Sequence, residues 1–389
     1  MGWLLVLAVC VMVGWLGWGW WNRQSSKPTP TPTPNRIQSA QRSLRTLPPL
    51  TPPSVDPTTD TPVTPPVQVS TQALKWIPPV TPPAIPETVP TNTVSAGDDP
   101  AIPWSPREAT TVLEAQVALA SHGINAGPID GVAGSQTAAA LRAFQLQQGL
   151  EGTGILDRDT QRALILRSDP MSRITVHGSD LARIGRVPRT WLGKSQATEL
   201  GYESALEMVA EQCRSHPNLV RKLNPGVDWD RISPGQSVAV PSPRWPPARR
   251  AARMRVSLAG RYLRAFDDRG RLLCHFPCSI GKIASKRPVG DLHVVVAVKE
   301  PNYTFDPKTF PESAEARSLG RRLVLPPGPN NPVGLAWIGL DRPGFGIHGT
   351  PAPEQVGRTE SHGCFRLANW NAEYLRQMVW VGMPVSVEP

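Results

Sequence analysis

Two histidines and a cysteine near the C-terminus carry the residue types of acyl transfer. The stretch GFGIHGTPAPEQVGRTESHGCFRLANW sets His348 before Gly-Thr, places twelve residues, those two included, between His348 and Ser361, and then runs Ser361, His362, Gly363, Cys364, Phe365, Arg366. A nucleophilic cysteine needs a base for its proton and donors for the oxyanion formed on attack. His348 has the chemistry of the base and Cys364 that of the nucleophile, provided a loop brings them together. The backbone N–H groups of Gly363 and Cys364 can face a carbonyl oxygen, because glycine permits the turn without steric cost. Arg366 shares a face with Cys364 if the segment is extended, and its guanidinium fork suits a carboxylate. The competing reading is that Cys364 only packs, since cysteine is among the most buried residue types.

A scaffold must bring these groups together, and from Val256 onward the apolar pattern has period two. RVSLAGRYLRAFD and RLLCHFPCSI flank DDRG, which is a hairpin signal. DLHVVVAVKE, LAWIGL, FGIHGT and the terminal PVSVEP are further strand candidates, while helical signal is confined to NWNAEYLRQMV. The expected domain, residues 252–389, is mostly β, with His348 at a strand end beside the Cys364 turn. NYTFDPKTFPESAEARSLGRRLVLPPG is longer than a simple connection. It reads either as part of a lid or substrate groove, or as a plain surface insertion.

HGT, a spacer, then SHGC followed by an apolar residue and Arg resembles the signature of the L,D-transpeptidase catalytic domain of YkuD type. RPVG, and PPGPNNPVGLAWIGL leading into PGFGIHGT, resemble that family too, over 252–388. The resemblance implies a β-sandwich-like fold and a cysteine acyl-enzyme. Cys364 would attack the L,D bond of a donor peptidoglycan stem tetrapeptide, releasing D-alanine. A side-chain amine of a second stem would then resolve the thioester into a 3-3 cross-link. Position by position, Cys364 matches the nucleophile and His348 the base, and a backbone carbonyl at Gly349 would orient the imidazole. His362 would support the site, and Ser361, Gly363 and Arg366 match their family positions, the first and last toward substrate. Phe365 departs from the smaller aliphatic residue of many members, which touches packing and not chemistry. No cofactor and no metal are implied.

Upstream, the expected architecture is multidomain. In residues 105–168, Ser105 is a candidate helix N-cap, with Pro106 at the first helical position and Glu108 completing a capping box. Leu113, Val117 and Ala120 then recur at helical spacing. SQTAAALRAFQLQQ and DRDTQRALIL read as two more helices between glycine-rich breaks. With IDGVAGSQTAAALRAFQLQQGL at its centre, this three-helix unit resembles a peptidoglycan-binding domain, which implies contact with glycan or stem peptide. An unrelated small bundle is the alternative, and Asp130 and Gly131 are expected to shape the loop. Residues 172–243 read as strand, helix, turn, helix and strand. With LNPG and PGQSVAVP they resemble a LysM-type α/β sugar-binding module, interrupted by an insertion at 183–203. PRWPPARRAARMR is a basic joint to the last domain.

The first 21 residues, MGWLLVLAVCVMVGWLGWGWW, carry no side-chain charge and are about as long as a bilayer-spanning helix. Trp15, Trp18, Trp20 and Trp21 crowd the far end, as interfacial aromatics do. An uncleaved membrane anchor is favoured over a cleaved signal or a lipidated Cys10, although Arg23, Lys27 and Arg36 run against the export orientation. Residues 22–104 are a Pro/Thr-rich linker, semi-extended and without a core. The localisation expected from this layout is the cell envelope, periplasmic or extracytoplasmic, at the inner membrane.

Net charge is +10 over 389 residues, which favours anionic partners. No Gly-rich phosphate loop and no nucleic-acid motif is present, so wall carboxylates and the membrane surface are the expected partners and nucleic acid is not. The five cysteines, Cys10, Cys213, Cys274, Cys278 and Cys364, are too few for a disulfide framework and form no CxxC pair. In a strand, Cys274 and Cys278 would sit roughly 13 Å apart, too far to bridge. His275 between them reads as structural, and Cys213 as core. Two further functions share the catalytic residues or dispense with them. One is a cysteine hydrolase, either an L,D-carboxypeptidase or an enzyme releasing wall protein, with water as acceptor. The other is a non-catalytic wall-binding protein, against which the intact His348 and Cys364 argue. A thiolate-like Cys364 that depends on His348 is the chemical expectation.

Overall fold

The computed structural model describes residues 104–310, 312–359 and 363–389. All of them belong to one compact unit, Val89–Pro389. The N-terminal segment and most of the linker lie outside the described residues. Among the described residues no helix is long and apolar enough to cross a membrane.

The first module runs β1 (Arg107–Glu108), α1 (Val112–Ala120), α2 (Ser135–Gln147), α3 (Arg158–Ala163) and β2 (Ile165–Leu166). Its core is Leu119, Ala140, Phe144 and Leu164, all fully buried. Each of the leucine and phenylalanine side chains contributes roughly 1.5–3 kcal/mol. The first helix starts later than the sequence suggests. Arg107 and Glu108 pair with Leu166 and Ile165, so the chain is extended there. Thr111 is the cap instead, in a reciprocal box with Glu114. Gln116 holds the following loop by accepting from the N–H groups of Asp130 and Gly131, at 3.1 and 2.8 Å. Asp130 and Gly131 therefore have the loop-shaping place expected of them.

The middle module contains β3 (Met171–Thr175), α4 (Gly178–Leu181), α5 (Trp191–Gln196), α6 (Ala205–Gln212), α7 (Pro217–Leu223) and β4 (Ser237–Pro241). β3 and β4 pair antiparallel over five residues and pack on α6 and α7 around Val176, Val209, Val220 and Val238. The two ends of the insertion, Ile184 and Tyr202, still pack on this core, but its middle with α5 leaves it. Val187 and Leu200 join a separate cluster with Phe305, Ala316, Leu323 and Leu325 of the last domain.

That last domain holds β5 (Arg253–Ser257), β6 (Tyr262–Phe266), β7 (Leu272–Pro277), β8 (Gly290–Lys299), β9 (Tyr303–Phe305), α8 (Ala314–Leu319), β10 (Leu323–Leu325), β11 (Ala336–Leu340), β12 (Gly346–His348), β13 (Phe365–Arg366), α9 (Asn369–Arg376) and β14 (Pro384–Glu388). Eight strands form one mixed sheet in the order β13-β12-β11-β8-β14-β5-β6-β7. A sandwich-like pair of layers was expected; here the two halves share β8. Its first residues pair with β14 and its later ones with β11, where a bulge shifts the register at Gly339 and Leu340. Bulges of this kind bend and twist a strand. The continuous sheet thus encloses a single core that includes Met254, Leu263, Phe276, Ile338, Phe365 and Leu375.

Two local readings change. RVSLAGRYLRAFD is two strands, since the chain turns between Ser257 and Tyr262, with Arg261 at a positive φ of 50°. Helix is also not confined to the C-terminal segment. α8 forms inside the long insertion, capped by Ser313 and ended by a left-handed Gly320.

The modules meet at β7 and α9. Asn125 donates to the His275 carbonyl at 2.9 Å, and the His275 N–H donates to Gly123 at 3.1 Å, so the first module covers the sheet's outer edge. A Cβ on Gly123 would lie 2.2 Å from the Leu273 oxygen, so this approach needs glycine. From α9, Asn371 donates to Asn125 of the first module at 3.0 Å, and Asn369 donates to Glu211 of the middle module at 2.7 Å. Cys213, Cys274 and Cys278 are buried free thiols. His275 is buried, and its Nδ1 accepts from Arg264 at 3.1 Å, consistent with a structural role.

Candidate active site

β12 and β13 run parallel, with Ile347 opposite Phe365 and His348 opposite Arg366. Phe365 and Leu367 are fully buried, so alternation turns Cys364 and Arg366 to the opposite face. Phe365 is thus a core residue, in line with a departure that touches packing. Trp337 of β11 is the register partner of His348 on its other side. Trp337, His348 and Arg366 therefore form a row across three strands, with Cys364 one step before Phe365. On the far side Ser279 exchanges two backbone hydrogen bonds with Arg366, at 2.9 and 3.0 Å, while its hydroxyl accepts from Gly357 at 2.9 Å. This ties the spacer between the two motif halves to β13.

His348 is 5 % exposed. Its Nδ1 lies 2.7 Å from the Gly349 carbonyl. A carbonyl only accepts, so Nδ1 carries the proton and Nε2 keeps its lone pair. The ring stacks on Trp337 with centroids 5.5 Å apart and 22° between planes. Burial pushes the imidazole down to about 4, the Gly349 bond opposes this, and the Arg366 charge adds to it. His348 is therefore neutral at pH 7, as a general base must be.

Gly349 is confined from behind. A Cβ there would lie 2.2 Å from the Asn369 Oδ1 atom, and one on Gly334 would lie 1.9 Å from the same atom. The Asn369 amide oxygen thus occupies a notch between two glycine backbones.

Cys364 is half-buried, with Sγ 3.4 Å from the Gly344 carbonyl. Burial pushes its thiol up, while a Gly346 backbone contact and the Arg366 charge pull partly back. A raised thiol and a lowered imidazole each favour the uncharged form. Burial thus works against the thiolate read from the sequence, because both groups are withdrawn from water and each charged form is penalised. Gly363 lies against Gly281, where an added Cβ would approach its Cα to 3.1 Å. Arg366 is half-buried, and among the described residues its guanidinium forms no ion pair. Ser361 and His362 lie outside the described residues. Among the described residues no His, Cys, Asp and Glu cluster could hold a metal ion.

Sequence reasoning did not single out Trp337, Ser279, Tyr303 or Asn369. Tyr303 belongs to β9 in the long insertion and interacts electrostatically with both Cys364 and Arg366. The insertion is backed by the middle module, where Trp191 stacks on Phe305 at 4.3 Å and 17°. Asn369 opens the helix expected in the last domain, but neither its type nor its spacing marked it.

Residues 251–387 match the family described as "L,D-transpeptidase catalytic domain" (YkuD), and residues 108–164 match the "Putative peptidoglycan binding domain". "Putative L,D-transpeptidase YkuD" of Bacillus licheniformis is 31 % identical over 184 residues, which is 47 % of this chain and 93 % of that protein. "Probable L,D-transpeptidase YbiS" of Escherichia coli K12 is 29 % identical over 199 residues, 50 % of this chain and 64 % of the relative. The solved L,D-transpeptidase from Xylanimonas cellulosilytica overlaps 74 % of this chain and all of that one at 16 % identity, with a TM-score of 0.31. With nearly the whole Bacillus licheniformis protein covered and the catalytic match spanning the β12–β13 site, the chain belongs to the L,D-transpeptidase family and is an enzyme of that type.

Proposed function

We propose that this chain cross-links peptidoglycan stems through a Cys364 acyl-enzyme, with His348 as base. The observation that carries the reading is the neutral imidazole committed through Nδ1 to Gly349, one strand from Cys364. In the first half-reaction the Cys364 sulfur attacks the L,D carbonyl of a donor stem tetrapeptide. The thiol proton passes to Nε2 of His348, and the backbone N–H groups of Gly363 and Cys364 donate to the oxyanion. The C–N bond breaks, the leaving D-alanine amine takes the proton from His348, and a thioester remains. In the second half an acceptor amine attacks the thioester, its proton returns through His348 to sulfur, and a 3-3 link forms. Arg366, half-buried and without an ion pair among the described residues, suits a stem carboxylate. By family resemblance Ser361 contacts substrate and His362 supports the site.

The remaining parts extend this reading. The β3–α6–α7–β4 order supports a LysM-like sugar-binding role for residues 172–243. The first module, residues 105–168, would hold glycan or stem peptide. Residues 1–21 would anchor the chain at the inner membrane, residues 22–104 would span from it, and residues 252–389 would work on the wall outside.

The test is the full chain incubated with isolated peptidoglycan, beside Cys364→Ala, with digested products read by mass spectrometry. New Cys364-dependent 3-3 dimers are expected. Tripeptides or released protein without dimers would move the assignment to a hydrolase, and intact wall binding with no product to a binding protein.

A further inference from the structure

We infer that Glu211 of the middle module is a positioning residue for the reaction, acting through Asn369 on the Gly349 carbonyl that orients His348. The inference rests on the reading of His348 as the base. Asn369 is 1 % exposed and opens α9, three residues after Arg366. Its Nδ2 donates to Glu211 Oε1 at 2.7 Å and to the Pro329 carbonyl at 3.1 Å. Its Oδ1 accepts from the Leu335 N–H at 3.3 Å. Two acceptors on one side and a donor on the other fix which way the amide points. That orientation puts Oδ1 in the notch between Gly334 and Gly349, where neither glycine has room for a methyl group.

The middle module also grips the loop that carries Gly334. Leu200 donates to Pro327 and accepts from Asn330, both at 2.9 Å. The Asn330 Nδ2 donates to the Gly201 carbonyl at 2.8 Å and to Glu207 at 2.6 Å. A Cβ on Gly328 would lie 2.3 Å from the Leu200 oxygen, so the two backbones are in direct contact. One end of a continuous chain of close contacts is therefore α6 of the middle module, and the other is the carbonyl that selects the His348 tautomer. Removing the Glu211 carboxyl leaves Nδ2 with Pro329 alone. The amide can then rotate out of the notch, Gly349 gains freedom, and Nδ1–H is no longer the single tautomer.

The experiment uses the full chain and reads both kinetics and the ring. Glu211→Leu should lower kcat for Cys364-dependent product from a soluble tetrapeptide stem by about 10–100-fold, the scale of a reacting group displaced by roughly 1 Å. KM should stay within about twofold, because substrate contacts are untouched. In 15N spectra of His348, the wild type should show the Nδ1–H form, and Glu211→Leu a mixture with Nε2–H. Glu211→Gln, which keeps the Oε1 acceptor, should regain most of the loss. Should Glu211→Leu lose the folded state, Glu211→Asp, one methylene short of Asn369, carries the same expectation. In Asn369→Ala, adding Glu211→Leu should cost nothing more.

An unchanged kcat and tautomer overturn the inference, as do a loss confined to KM or losses that add in the double variant. A purely structural bond between modules would lower stability and leave the tautomer alone. His348→Ala keeps this separate from the parent reading. If it leaves Cys364 alkylation by iodoacetamide unchanged, the base assignment fails, and the His348 tautomer still decides the role of Glu211.

Discussion

Glu211→Gln also makes a prediction about stability. Burial is the main force on the Glu211 carboxyl and raises it from an ordinary 4.5 to about 8, with Glu207 and Glu373 adding repulsion and Asn369 and Tyr202 opposing through hydrogen bonds. At pH 7 the folded chain therefore holds a proton that the unfolded chain has released. A group whose folded pKa is raised gives stability fully present below the unfolded value and lost as pH rises toward the folded one. The loss accumulates at about 1.4 kcal/mol per pH unit. Between pH 4.5 and 7 that sets an upper limit of roughly 3 kcal/mol. Glu211 is only partly hidden from solvent, which reduces the expected effect to about 1–2 kcal/mol. Glutamine keeps the shape and the acceptor and does not ionise. The variant should match the wild type near pH 4.5 and exceed it at pH 7–8 by several degrees in melting temperature, at about 2–4 °C per kcal/mol. Thermal melts at pH 5, 6, 7 and 8 decide it. Glu207 and Glu373 are raised too, so both proteins keep a shared slope, and only the difference between them counts. Parallel curves would refute the burial argument.

Activity should persist well below neutral pH. With His348 held near 4 by burial, product formation should fall only as pH drops through about 4–5, when the imidazole gains a proton; a half-point near 6.5 would contradict the buried geometry. Without substrate, Cys364 should alkylate more slowly at pH 7 than an ordinary cysteine and speed up only above its usual range, because burial raises the thiol; fast alkylation at pH 6 would mean a resting ion pair. Trp191→Ala removes the ring stacked on Phe305 and tilted against Phe310 at 5.2 Å. It should weaken the insertion cluster by about 2–3 kcal/mol, seen as faster proteolysis within 301–327 and a raised KM, whereas unchanged proteolysis would detach the middle module from this region.

Local chemistry determined much of this from sequence. Cys364, His348 and Arg366 stood out because nucleophile, base and cation sit at fixed short spacings in one segment, and alternation along an extended segment put Cys364 and Arg366 on one face. The main strands of the last domain and the helix pair of the middle module follow from period two and period 3.6, which a chain carries locally. Where the reading slipped, a distant partner decided. Ser105 lost its helix to the pairing of Arg107 and Glu108 with residues 165–166, more than fifty positions away. Whether Cys364 would rest as a thiolate depended on burial, which no spacing reports. The largest share left to tertiary structure is the union of the two insertions. Val187 and Trp191 find Phe305 and Leu325 across more than a hundred residues, and Glu211 reaches Asn369 across 158. Such contacts leave no periodic trace, because each half reads alone as a polar loop or an ordinary helix face. They exist only once folding has brought both halves out of water together.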